Sequence, residues 1–273
     1  MSGRQLDLFT ADGADPVPAQ APAPGGEIDA ATLDDAALVA ALPGAGLADA
    51  AALAAEAGRR RLTEAVPALR ALCLRFAGFG TERLVPEQAA SLRALAAIGG
   101  SDARAAVIGL LVRGVVQGPT LAAAAAAADQ LQAGLPAGVA ADFLAHADPM
   151  IRRTACRCAP RALELVPALL GRLEDLDGGV ARAAACALGR MGRHEARPLL
   201  GRLLAQSPAE DVVEAIAPVA DEACLVLLAR LARTQPDLAP AALEALESCD
   251  HPRAAVLAAR LRRDLGLSPP PTP

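Results

Sequence analysis

The sequence contains no tryptophan, no tyrosine and no lysine, and only four phenylalanines and three histidines in 273 residues. The scarcity of rings removes the side chains that commonly fill sheets and that stack on nucleic-acid bases. The absence of lysine makes all 26 basic residues arginine, against 31 acids, for a formal charge of −5. That balance disfavours a general nucleic-acid binder, which needs excess positive charge on at least one face, so direct nucleic-acid binding is not expected. Long apolar runs are also missing. Charges, prolines or glycines interrupt every apolar stretch before membrane-spanning length, and no apolar core of signal-peptide length follows Arg4. The chain is expected to be soluble and cytoplasmic, with no membrane contact.

Alanine and leucine dominate what remains. Together with arginine and glutamate they are the best intrinsic helix formers, which predicts an all-α fold. Six cysteines (Cys73, Cys156, Cys158, Cys186, Cys224, Cys249) sit in Ala- and Leu-rich helical patterns without the paired spacing of a zinc site. They read as small buried hydrophobes, and no metal or cofactor is predicted.

Residues 10–31 carry prolines 16, 18, 22 and 24, a Gly-Gly pair and scattered acids, with no apolar periodicity. This composition predicts a disordered tail over residues 1–31, and Ser-Pro-Pro-Pro-Thr-Pro predicts a second disordered end over 266–273. Between them, from 32 to 265, the sequence repeats. Leu-Leu-Gly-Arg-Leu stands at 169–173 and 199–203, Leu-Leu-Ala-Arg-Leu at 227–231 and Leu-Ala-Ala-Arg-Leu at 257–261. A fixed step near thirty residues fits a helix pair with two turns, the signature of a solenoid.

Each unit predicts two helices. In the first, Val180, Ala184, Ala187, Leu188 and Met191 form one apolar face, with Gly189 and Gly192 weakening its end. The second takes over at His194, with Pro198 in its first turn and Leu199, Leu200, Leu203 and Leu204 as its buried stripe. Pro67 and Pro167 occupy the same place in earlier units. Thr120 is read as the N-cap of a helix holding the alanines 122–128, whose small side chains permit close helix approach. Between Val66 and Val107 the step widens to about 41 residues.

Val-Pro-Ala-Leu-Leu, followed by Asp177, Val180, Arg182 and the Ala-Leu-Gly at 187–189, resembles the HEAT repeat in its short variety. The likeness runs over residues 32–265 and is strongest from 148 to 263. It implies an α-solenoid of HEAT-like helix pairs. Where HEAT repeats often keep an arginine in the first helix, this chain has Arg153 and Arg182 but then Glu214 and Glu244, which breaks a continuous basic ladder.

Catalysis finds little support in the sequence. His146, His194 and His251 fall at turns between repeats, where capping and the helix dipole suit them, and no nucleophile motif or Gly-rich phosphate loop accompanies them. A chain without enzymatic activity is the expectation. Arg172, Arg202, Arg230 and Arg260 recur at equivalent points of four second helices, a column able to grip an anionic partner, or else to form solvated ion pairs.

The tail contains Gln5-Leu6-Asp7-Leu8-Phe9. This pentapeptide resembles, at all five positions, the motif by which bacterial polymerases and repair proteins dock on the ring-shaped sliding clamp. The resemblance implies that Leu8 and Phe9 fill the clamp's apolar pocket, Leu6 contacts its side and Gln5 hydrogen-bonds in a polar subsite. The sequence therefore points to an adaptor tethered to the bacterial sliding clamp, its solenoid presented to a second protein partner in replication or repair. Two alternatives stand beside it: a HEAT-repeat interaction scaffold without clamp binding, and an enzyme on a HEAT-like scaffold, for which alkylpurine DNA glycosylases and bilin lyases are precedents.

Overall fold

A computed structural model describes residues 29–266. Among these residues there are fifteen α-helices and no strand. After a short α1 (Asp35–Ala41), the helices form seven successive pairs. They are α2 (Leu47–Arg60) with α3 (Val66–Arg75), α4 (Pro86–Ile98) with α5 (Gly100–Val112), and α6 (Leu121–Gln130) with α7 (Ala137–Leu144). Then come α8 (Pro149–Cys158) with α9 (Val166–Gly171), α10 (Gly178–Arg190) with α11 (Arg197–Gln206), α12 (Glu210–Ile216) with α13 (Glu222–Thr234), and α14 (Ala239–Glu247) with α15 (Ala254–Asp264). The even-numbered helices pack successively on one another from α2 to α14 and form one layer. The odd-numbered second helices cover it as the other, giving an α-solenoid of HEAT-like helix pairs.

The helix starts follow from local chemistry. Asp34, Asp148, Asp177 and Asp221 each accept a backbone N–H of the following first turn, at 2.7 to 3.0 Å. Proline stands in the first turn of α3, α4, α8, α9, α11 and α14, where its missing N–H leaves no bond unmade. Arg60 holds the beginning of the solenoid in place. It bonds the carbonyls of Ala30, Ala31 and Leu33 and the carboxylate of Asp35.

The alanine-rich core lets helices approach closely. Ala124, Ala125, Ala127 and Ala128 are buried between α4 and α8, and α10 is buried along most of its circumference. Gly189 departs from the sequence expectation: α10 runs through it to Arg190. A Cβ there would lie 2.3 Å from the Ala215 carbonyl oxygen of α12. The glycine marks a helix crossing, and the chain reverses only at Gly192, whose φ is +70°.

Thr120 also differs. Its Oγ1 accepts the Val85 N–H at 2.9 Å and caps no helix, because the 3₁₀ turn Gly118–Thr120 leads into α6 and leaves Thr120 itself with helical dihedrals. The widened repeat step is a loop at 76–85 between α3 and α4. Gln88, fully buried, anchors it: Nε2 donates to the carbonyls of Cys73, Phe76 and Val115. Phe76 and Phe79 meet edge to face at 6.2 Å, and Phe79 remains exposed.

Candidate functional site

Pairs of arginine and aspartate link successive repeats across the even-helix layer. Arg157 of α8 bonds Asp129 of α6 at 2.6 Å, and Arg153 bonds Asp177, the N-cap of α10, at 3.1 Å. Arg182 of α10 pairs with Asp211 of α12. These residues line or border a groove of about 870 Å³ that also takes Arg161, Arg190, Glu210 and Glu214 into its wall. Three of its arginines are thus neutralised by fixed aspartates. Arg161 and Arg190 have no ion pair among the described residues, and neither have Glu210 and Glu214.

Cys158 and Cys186 also border this groove, but burial pushes both thiols up to about 11. Cys73 and Cys156 are pushed to about 12 by the same cause and Cys224 to about 11. None of these five offers a thiolate near neutral pH. Among the described residues no group of three or more His, Cys, Asp or Glu side chains is placed to hold a metal ion. His146 and His251 accept backbone N–H groups through Nδ1, from Asp148 at 3.0 Å and Arg253 at 3.2 Å, and so serve their turns.

The four recurring arginines lie on the odd-helix layer. Arg172 is half-buried and donates to Asp175 at 3.2 Å. Arg202, Arg230 and Arg260 are exposed, and their guanidinium groups make no hydrogen bond or ion pair among the described residues. They share a register. Leu200, Leu228 and Ala258, each two positions earlier, are buried, so the arginines face away from the core. Gln5, Leu6, Asp7, Leu8 and Phe9 lie outside the described residues, as do the rest of 1–28 and 267–273.

Sequence reasoning noted Arg153 and Arg182 but missed their linkage into a groove. The partners stand 24 and 29 positions away, one repeat along. The near-thirty period was the available signal, since it brings an aspartate of one unit beside an arginine of its neighbour.

A family model described as HEAT repeats matches residues 139–220. Among solved structures, a chain of the complex of CpcE and CpcF of phycocyanin lyase from Nostoc sp. PCC7120 has a similar fold, with a TM-score of 0.52. The match has 18% identity and covers 96% of this chain and 100% of that one. No curated protein sequence matches the chain. The structural match corrects the expectation of a chain without enzymatic activity, because a fold shared with a phycocyanin lyase gives no ground for excluding catalysis. That expectation rested on missing short motifs, whereas a solenoid surface is assembled from residues a whole repeat apart. No helix among the described residues is long and apolar enough to cross a membrane. The described chain is an α-solenoid of HEAT-like helix pairs, and its segment 139–220 carries the match to HEAT repeats themselves.

Proposed function

We propose that this HEAT-like solenoid is a scaffold that docks on the bacterial sliding clamp through residues 5–9 and acts beside it, in the cytoplasm, in replication or repair. One observation carries the reading: the five-position agreement of Gln5-Leu6-Asp7-Leu8-Phe9 with the clamp-docking motif. Apolar anchors on a Pro-rich tether suit reversible capture in a preformed groove, because only a few residues are ordered on binding. Nineteen residues lie between Phe9 and Asp29. A Pro-rich linker of that length suits an anchor that leaves the solenoid's surface open to a second protein partner.

The test uses the full chain on size-exclusion chromatography with a bacterial sliding clamp. Co-elution that disappears when residues 1–12 are deleted supports the reading. Co-elution that persists without them assigns clamp contact to the solenoid and removes the role of the motif.

A second reading is favoured by the fold match to the phycocyanin lyase complex together with the arginine-lined groove. On it, the groove takes a carboxylate-bearing open-chain tetrapyrrole, with Arg161 and Arg190 as the cations free to receive it. Absorbance titration with a bilin decides this reading: a spectral shift lost on Arg190→Gln supports it, and an unchanged spectrum rejects it.

A further inference from the structure

On the odd-helix layer the free arginines have company. Four positions before Arg202, Arg230 and Arg260 stand Pro198, Val226 and Val256, all exposed, with the two valines 57% and 69% accessible. Residues four apart share a helix face. The last three second helices α11, α13 and α15 therefore carry two parallel columns, one apolar and one cationic, a single helical turn apart. Two valines left in solvent at matching points of successive repeats do nothing for the core.

Within these three helices no unpaired acid is left to satisfy those charges. Helix α11 contains no acidic residue, Glu222 of α13 is paired with Arg253, and Asp264 of α15 is paired with Arg233 at 2.8 Å. The exposed acids without an ion pair in these repeats belong to the even helices, Glu210 and Glu214 of α12 and Glu244 of α14, or to the turns, Asp237 before α14 and Asp250 after it. The overall charge of −5 hides this segregation.

We infer that the columns Arg202–Arg230–Arg260 and Pro198–Val226–Val256 are a docking surface for an acidic, extended segment of a protein partner. Geometry sets the form of that segment. Packed helices lie about 8–10 Å apart, so the arginines recur at about that interval across the face. A polyproline-type chain advances about 3.1 Å per residue with three residues per turn, so acids at every third position fall on one side about 9 Å apart. Apolar residues next to them then meet the proline and valines. The apolar column favours a protein over a nucleic acid, whose backbone offers a line of phosphates without apolar side chains. The inference concerns the solenoid alone and holds whether or not the tail docks on a clamp.

The experiment is fluorescence polarisation of the full chain with a fluorescein-labelled peptide of repeated Glu-Pro-Val triplets. Controls are the Gln-Pro-Val peptide and a labelled oligo-dT. The inference predicts binding of the Glu peptide that weakens with salt. It predicts about tenfold loss in the Arg202→Gln, Arg230→Gln, Arg260→Gln variant, as three exposed charge contacts supply. It also predicts a measurable loss in Val226→Ser, Val256→Ser, which keeps every charge. All five substitutions are at exposed positions, and circular dichroism confirms that the variants fold. Absence of binding at millimolar peptide, equal binding of the Gln peptide, or equal affinity in the arginine variant would overturn the inference. Tighter binding of oligo-dT, lost in the arginine variant and retained in the valine variant, would overturn it in favour of nucleic acid.

Discussion

Arg152 and Asp175 are joined at two points: Nε and Nη2 of the arginine each donate at 2.8 Å to one carboxylate oxygen. The Asp175 side chain is only 2% exposed. Nη1 of Arg152 reaches back to the carbonyls of His146 and Ala147, so one guanidinium ties the turn before α8 to the turn before α10. Arg172 adds a third bond to the same carboxylate, which makes Asp175 the centre of the junction. A solenoid needs such junctions because each repeat touches only its neighbours.

Asp175→Asn is expected to destabilise the protein by about 3 kcal/mol, since it leaves Arg152 largely buried without its counter-charge. Urea unfolding followed by circular dichroism measures it. The effect depends on pH with a definite sign. The Arg152 hydrogen bonds hold the Asp175 carboxyl at about 2, below its ordinary 3.8. The stabilisation is therefore present above about pH 4 and fades as the pH falls from there through about 2. The difference in urea midpoint between wild type and variant should shrink across that window.

Gly189→Ala places a methyl 2.3 Å from the Ala215 carbonyl oxygen and 2.7 Å from Leu200 Cδ1. Backbone cannot yield as a side-chain tip does, so the variant should lose about 1–3 kcal/mol although alanine is the better helix former. A variant as stable as wild type in thermal melts would contradict the close crossing of α10 and α12.

Thiol reactivity should divide the six cysteines. Cys73, Cys156, Cys158, Cys186 and Cys224 are buried, with thiols raised to about 11 or 12, whereas Cys249 is half-exposed. Titration with Ellman's reagent at pH 8 should label one thiol rapidly in the folded protein and all six in denaturant. Rapid labelling of several native thiols would show that the alanine-rich core opens readily.

Gln88→Leu should release the loop at 76–85, because three carbonyls lose the amide that bonds them. The expected cost is about 2 kcal/mol. Limited trypsin digestion should cut earlier at the exposed Arg83 than in wild type.

The architecture was legible because two independent signals coincide in the sequence. The LLGRL-type repeats fix the period, and Pro67, Pro167 and Pro198 mark the first turn of three second helices, α3, α9 and α11, each preceded by a 3₁₀ turn. What escaped depends on the third dimension. Gly189 looks like a helix breaker until α12 is laid across it, and Thr120 looks like a cap until Val85 arrives from 35 residues away. The arginine register could be read in advance, but not the fate of each charge. Arg172 differs from Arg202, Arg230 and Arg260 in standing at the C-cap of the short α9 and in bonding Asp175, whose carboxylate Arg152 brings into position from the neighbouring repeat.

The measurement that reaches furthest is fluorescence polarisation of a labelled peptide covering residues 1–15 against a purified bacterial sliding clamp, with the Leu8→Ala, Phe9→Ala peptide as control. The account predicts micromolar binding that vanishes in the control. Equal signals from the two peptides, or no binding by either the wild-type peptide or the full chain, would contradict it and leave the solenoid without its proposed clamp anchor.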